Sequence, residues 1–157
     1  MVEPFESSVK NKQMICPDNL ISEAIIQAEF YHACRLIGLP CLLELTTPAG
    51  RLDAVVVSSD FKRMLAIVEC KHNEHGKVFF SRQIKRYKAL GVPVYGLAKV
   101  ERASRLAEQL LRTYSIYDPN VGKEIDSVLA MKRIPRRKSE FSNPDYAMTL
   151  CEEVNFK

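Results

Sequence analysis

The chain has 157 residues, 46% of them hydrophobic and 27% charged, with a formal net charge of +4. That length and balance predict one globular domain with a real core, and the mild positive charge is compatible with nucleic-acid binding without singling it out. The five cysteines, Cys16, Cys34, Cys41, Cys70 and Cys151, include no C-x-x-C pair, which speaks against a zinc knuckle, an iron–sulfur cluster or a disulfide scaffold.

Met1 to Pro17 is polar and without periodicity, and it reads as an arm. Its acids stand where a signal peptide is basic and then apolar, and no apolar run reaches transmembrane length, so a cytoplasmic protein is predicted, in its own cell or in a host. Asp18 or Asn19 is the predicted cap of a helix, with Ile21, Ala24, Ile25, Ala28, His32 and Arg35 or Leu36 at helical spacing. Gly38, followed by Pro40, is its predicted end. Cys41 to Leu45 reads as a strand, Thr47-Pro48-Ala49-Gly50 as a turn, and Arg51 to Ser58, rich in β-branched residues, as a second strand. Ser59 to Arg63 is a polar connection and Met64 to Cys70 a third strand, completing a β-meander.

His72 to Lys77 is a predicted loop. Ser81 to Leu90 is a predicted helix with Ile84, Tyr87 and Leu90 on one face, stopped at Gly91. Val92 to Val100 is a predicted strand, with Pro93 at its tolerated start. Glu101 to Tyr114 is a helix with Ala103, Leu106, Ala107, Leu110 and Leu111 on one side. Ser115 to Asp118 is a short strand candidate, and Glu124 to Met131 is open between helix and strand. Lys132 to Lys138 carries five cations in seven residues, interrupted by Pro135. The fold class predicted is α/β, a mixed sheet flanked by helices. The domain reading is an arm over 1–17, a core over 18–131, and a basic segment with a C-terminal tail over 132–157.

The chemistry concentrates on the meander. Asp53 lies in the second predicted strand and Glu69 near the end of the third. Glu69 and Lys71 are two apart, so on an extended strand their side chains leave the same face, while Cys70 points the other way. Carboxylates buried on strands are costly unless compensated, and a divalent metal compensates them. Hard carboxylate oxygens suit Mg²⁺ or Mn²⁺ better than zinc. A metal beside an ammonium is the equipment of phosphodiester hydrolysis. Taken singly, an E-x-K on a strand more often makes a weak surface ion pair. His72, Asn73 and His75 fit neither the ββα-metal nuclease spacing nor a zinc site.

Asp53 followed by Glu69-x-Lys71 resembles the PD-(D/E)xK nuclease superfamily, with Leu52 in place of the motif's proline. The order helix, glycine, strand, Asp, strand, E-x-K is similar to Holliday junction resolvases. Gln83-Ile84-Lys85-Arg86-Tyr87 resembles the Q-x-x-x-Y element of RecB-type nucleases, and a glutamine here also recurs in VRR-NUC-type domains; the cysteines of the RecB-type cluster are not in place. The resemblance covers roughly Asn19 to Ser115. It implies a restriction-endonuclease-like fold, a Mg²⁺-dependent DNA endonuclease and 5′-phosphate products. It further implies that Asp53, Glu69 and the backbone carbonyl of Cys70 ligate the metal. Lys71 would orient or activate the attacking water, and Glu29, or alternatively Glu23, would assist from the first helix. Gln83 would position water or substrate.

Arg82, Lys85, Arg86 and Lys88 around the second helix, with Tyr87 among them, and the basic run with Arg136, Arg137 and Lys138, are candidates for DNA contact. A homodimer would supply two sites for two strands. Two other readings share the scaffold: a junction- or flap-specific nuclease, and a catalytically silent DNA-binding or assembly module. No separate target-recognition domain is evident, which weighs against a site-specific restriction enzyme.

Overall fold

The computed structural model describes residues 22–72, 83–135 and 155–156. Helix α1 (Glu23–Ile37) begins at Ser22, whose hydroxyl accepts the Ile25 N–H at 3.4 Å from an extended backbone. The cap is thus Ser22, and the predicted caps Asp18 and Asn19 lie outside the described residues. Gly38 ends the helix as predicted: its φ of 74° lets its N–H and that of Leu39 turn back to Arg35 and Cys34, a geometry glycine adopts without strain.

The predicted apolar face of α1 is corrected. Ile26, Phe30, Ala33 and Cys34 are buried, whereas Ala24, Ala28, His32, Arg35 and Leu36 are exposed. Two apolar stripes compete on this helix, and the one headed by Ile26 and Phe30 packs on α3 (Ala103–Thr113), beside Leu106 and Leu110. Phe30→Ala is expected to cost about 3–5 kcal/mol in urea unfolding. Leu36, 72% exposed, should tolerate alanine within about 0.5 kcal/mol. The opposite ranking would show that the other stripe is the core face.

Strands β1 (Cys41–Thr47), β2 (Gly50–Val57) and β3 (Arg63–Cys70) form the predicted antiparallel meander. A helical segment at 83–88 (α2) then precedes β4 (Val94–Leu97), which lies parallel to β3. The predicted strand from Val92 to Val100 is shorter than expected. Its partner β3 ends at Cys70, and a 3₁₀ turn at Val100–Arg102 leads into α3.

Ser115 to Asp118 is not a strand. Asp118 accepts the Asn120 N–H at 2.8 Å, and Pro119 follows it, so the chain turns there. The open stretch after it takes both forms. β5 (Lys123–Glu124) pairs with the start of β3, and α4 (Ile125–Leu129) follows at once. Asn155–Phe156, in the predicted tail, adds a strand, β6, parallel to β4.

Among the described residues these strands make one mixed six-stranded sheet, ordered β1-β2-β3-β4-β6 with β5 joined to β3. The fold is therefore α/β. β3 is central and buried from Met64 to Cys70, as an apolar run covered on both faces should be. Ala66, Val68 and Cys70 join the core under α1 and α3. Val55, Val57 and Ile67 join the opposite core with Tyr87, Leu90, Ile125 and Val128. The three described cysteines, Cys34, Cys41 and Cys70, are buried and unbridged. No helix among the described residues is long and apolar enough to cross a membrane.

Candidate active site

The sheet loosens where the predicted acids lie. The β1–β2 register pairs Leu43 with Ala54 and Leu45 with Leu52, passing over Glu44 and Asp53. The β2–β3 register begins at Ala54 and Val68, one step short of Asp53 and Glu69. Glu44 adopts a φ of 58°, a left-handed conformation that strains a side-chain-bearing residue by of order 1–3 kcal/mol.

Backbone groups outside the ladder need other partners. The Asp53 carbonyl accepts the Gln27 side-chain amide at 2.8 Å, and the Asp53 N–H donates to Glu69 Oε1 at 3.4 Å. In return, the Cys70 N–H donates to Asp53 Oδ2 at 2.8 Å. Each carboxylate is thereby tied to the backbone of the other strand, which holds the two acids together.

Glu69 is 1% exposed, yet its Oε2 has no hydrogen-bond partner. Burial, then the Asp53 carboxylate beside it, pushes the Glu69 carboxyl up to about 9, with Lys71 acting weakly the other way. The same field reaches Tyr87, whose phenol is raised by burial first and by Glu69 second. A buried, unpartnered oxygen beside a second acid fits a divalent cation. Mg²⁺ is commonly held by one or two carboxylates, with water and substrate oxygens completing its shell. Among the described residues no set of three or more His, Cys, Asp and Glu side chains is gathered as ligands. The Cys70 thiol is no ligand: it faces the α1 core, and burial raises it.

Lys71 follows the last residue of β3. Its N–H donates to the Leu97 carbonyl at 3.1 Å, and its Nζ lies 3.3 Å from Glu23 Oε2. Glu23 therefore meets the site from the first turn of α1. Glu29 does not: it is exposed, and it sits about 200° around the helix from Gln27. Glu23 and Gln27 are one turn apart and head the same stripe as Phe30 and Cys34. Two polar residues at the top of a buried stripe were the available signal for Gln27, and the choice of the other stripe hid it. Gln27 also donates to Glu44 Oε1 at 3.1 Å, and Glu44 Oε2 pairs with Arg51 Nε at 3.0 Å.

On α2, Gln83 and Tyr87 stand one turn apart. Tyr87 is 2% exposed, and its hydroxyl donates to the Arg51 carbonyl at 3.1 Å, on the strand that carries Asp53. Gln83 Oε1 is buried without a partner. Arg86 donates to the Ala49 carbonyl, and its guanidinium carbon lies 5.9 Å from the Tyr87 ring centroid. Lys85 is half-buried and Lys88 exposed. Arg82, Arg136, Arg137 and Lys138 lie outside the described residues. The structure thus gathers Asp53, Glu69, Lys71 and Tyr87, adds Glu23 and Gln27, and leaves Glu29 apart.

Comparison with protein-family models, with curated proteins and with solved structures matches this chain to none of them.

Proposed function

We propose that the chain is a Mg²⁺- or Mn²⁺-dependent DNA endonuclease with a restriction-endonuclease-like, PD-(D/E)xK core. One observation carries the reading. Glu69 is buried beside Asp53 with an oxygen, Oε2, that no protein donor reaches within hydrogen-bonding distance, and Lys71 stands two residues on. A structural acid at that depth would be expected to have a hydrogen-bonding partner for each oxygen.

In this reading Asp53 and Glu69 would hold the cation, with the backbone carbonyl of Cys70 as a further ligand. When bound, the ion supplies positive charge against the phosphate and acidifies water. Lys71 donates a hydrogen bond to the attacking water and places it in line with phosphorus. Water adds to phosphorus as the P–O3′ bond breaks; the water gives up one proton to solvent and the leaving O3′ takes one up, giving a 5′-phosphate and a 3′-hydroxyl. Glu23 holds the Lys71 amine from α1 and restricts where it can reach. Gln83 positions water or a phosphate oxygen, and Tyr87 braces α2 against β2.

The test is cleavage of plasmid, single-stranded and branched DNA, with added Mg²⁺ or Mn²⁺ and with EDTA. Cleavage that needs the metal supports the reading. Preference for branched DNA would narrow it to a junction- or flap-specific nuclease. Metal-independent binding with no cleavage of any substrate would overturn it in favour of a silent binding module.

A further inference from the structure

A groove of about 990 Å³ opens beside the β1–β2 turn, lined by Thr46, Thr47 and Gly50 on the hairpin and by Arg86, Arg133 and Ile134 across from it. The Ile134 N–H donates to the Pro48 carbonyl at 2.9 Å, which seats the post-α4 segment on the turn. Two arginines face the groove, and among the described residues no acid lines it. Two other grooves differ: the one beside α3 mixes Arg105 and Arg112 with Glu108, and the one beside β5 mixes Lys62 and Arg63 with acids. A cleft of one sign with apolar walls concentrates its field on an anion.

The turn is built to admit the guanidinium. A Cβ on Gly50 would come 2.6 Å from Arg86 Nη2, so a side chain there would displace the arginine. Arg86 Nε is buried and has no partner. Groove and acids are also close. Gly50 precedes Asp53 by three residues on β2, about 10 Å at ~3.3 Å per residue. Tyr87 and Ile134 belong to the same core half, so α2 and the post-α4 segment lie on one side of the sheet.

We propose that this groove holds an internucleotide phosphate of the DNA strand that enters the Asp53–Glu69 site, between Arg86 and Arg133. The inference rests on the nuclease reading. Arg133 is exposed and can be changed without disturbing the core, whereas Arg86 supports the turn.

The experiment is fluorescence anisotropy of a labelled DNA duplex in EDTA, across a salt series, with wild type, Arg133→Ala, Arg133→Lys and Arg105→Ala. Loss of one phosphate contact should make the slope of log K against log salt shallower by about 0.9. Arg133→Ala is expected to show that change with several-fold weaker binding, Arg133→Lys to retain the slope, and Arg105→Ala to match wild type. An unchanged slope for Arg133→Ala, or an equal loss for Arg105→Ala, overturns the groove. So does displacement of the DNA by millimolar inorganic phosphate, which would mark a pocket for a free anion. Mg²⁺-dependent cleavage by a wild type whose slope ignores Arg133 overturns the groove and spares the nuclease reading. An Arg133-dependent slope without cleavage supports the groove and overturns the enzyme. Absence of DNA binding overturns both.

Discussion

Lys71→Ala is expected to lower metal-dependent DNA cleavage by about 10²–10⁴-fold, the range for losing a positioned proton-transfer or charge-stabilising group. Its fold should survive, because Lys71 lies just past the end of β3 and its backbone N–H, which alanine keeps, makes the bond to the Leu97 carbonyl. Asp53→Asn should abolish cleavage at least as completely while acting oppositely on stability. Removing the charge of Asp53 takes away one of the causes that hold the proton on buried Glu69, so above the usual carboxylate range, where that proton costs stability, the metal-free protein should become harder to unfold. The combination is diagnostic: a residue serving only structure would lose stability on substitution. Single-turnover cleavage assays and urea titrations in EDTA measure the two effects. Cleavage that survives both substitutions would sink the site assignment, and a destabilised Asp53→Asn would show that Asp53 serves the fold through its bond to the Cys70 N–H.

In EDTA the stability of the protein should fall as pH rises from about 5 to 9. The Glu69 carboxyl is raised from 4.5 to about 9 in the folded chain. Below the unfolded value both states carry the proton, and the stability linked to it is fully present. Between the two values the folded state keeps a proton that the unfolded chain has released, so stability drops by up to roughly 1.4 kcal/mol per pH unit. Above the folded value the loss is complete. A cation bound by Asp53 and Glu69 replaces that proton, so Mg²⁺ should flatten the profile and release about one proton per ion at neutral pH. Glu69→Gln should flatten it without metal and remove the response to Mg²⁺. Urea unfolding at several pH values, with EDTA or Mg²⁺, reads all three curves. A wild-type profile that stays flat in EDTA would show that Glu69 is ionised without metal, with another group neutralising it.

Much of this was legible in the chain because it is local. Gly38 stops α1, the β-branched run makes β2, and Ala103, Leu106, Ala107 and Leu110 share the buried face of α3. The pairing of Asp53 with Glu69 was legible as well, since a meander of that spacing brings its second and third strands side by side. Ser115 to Asp118 was misread because β propensity describes a residue's fit to a ladder, and this stretch turns at Asp118–Pro119, with Ile116 taking one backbone bond from Ser59.

By itself the sequence determined the order helix, meander, helix, strand, helix from α1 to α3, and two acids on neighbouring strands with a lysine beside one of them. Those follow from turn chemistry, periodicity and the cost of burying charge, all of which act between near neighbours. Only the tertiary structure decided which stripe of α1 faces inward, and hence that Glu23 and Gln27 reach the site while Glu29 stays outside. That choice depends on α3, more than sixty residues away in the chain, whose leucines accept Ile26 and Phe30 on one particular side. The break in the ladder at Asp53 is of the same kind. It needs Glu44 in a left-handed conformation and an amide from α1 to satisfy the freed carbonyl. No single segment encodes that arrangement, because its partners come from three different elements.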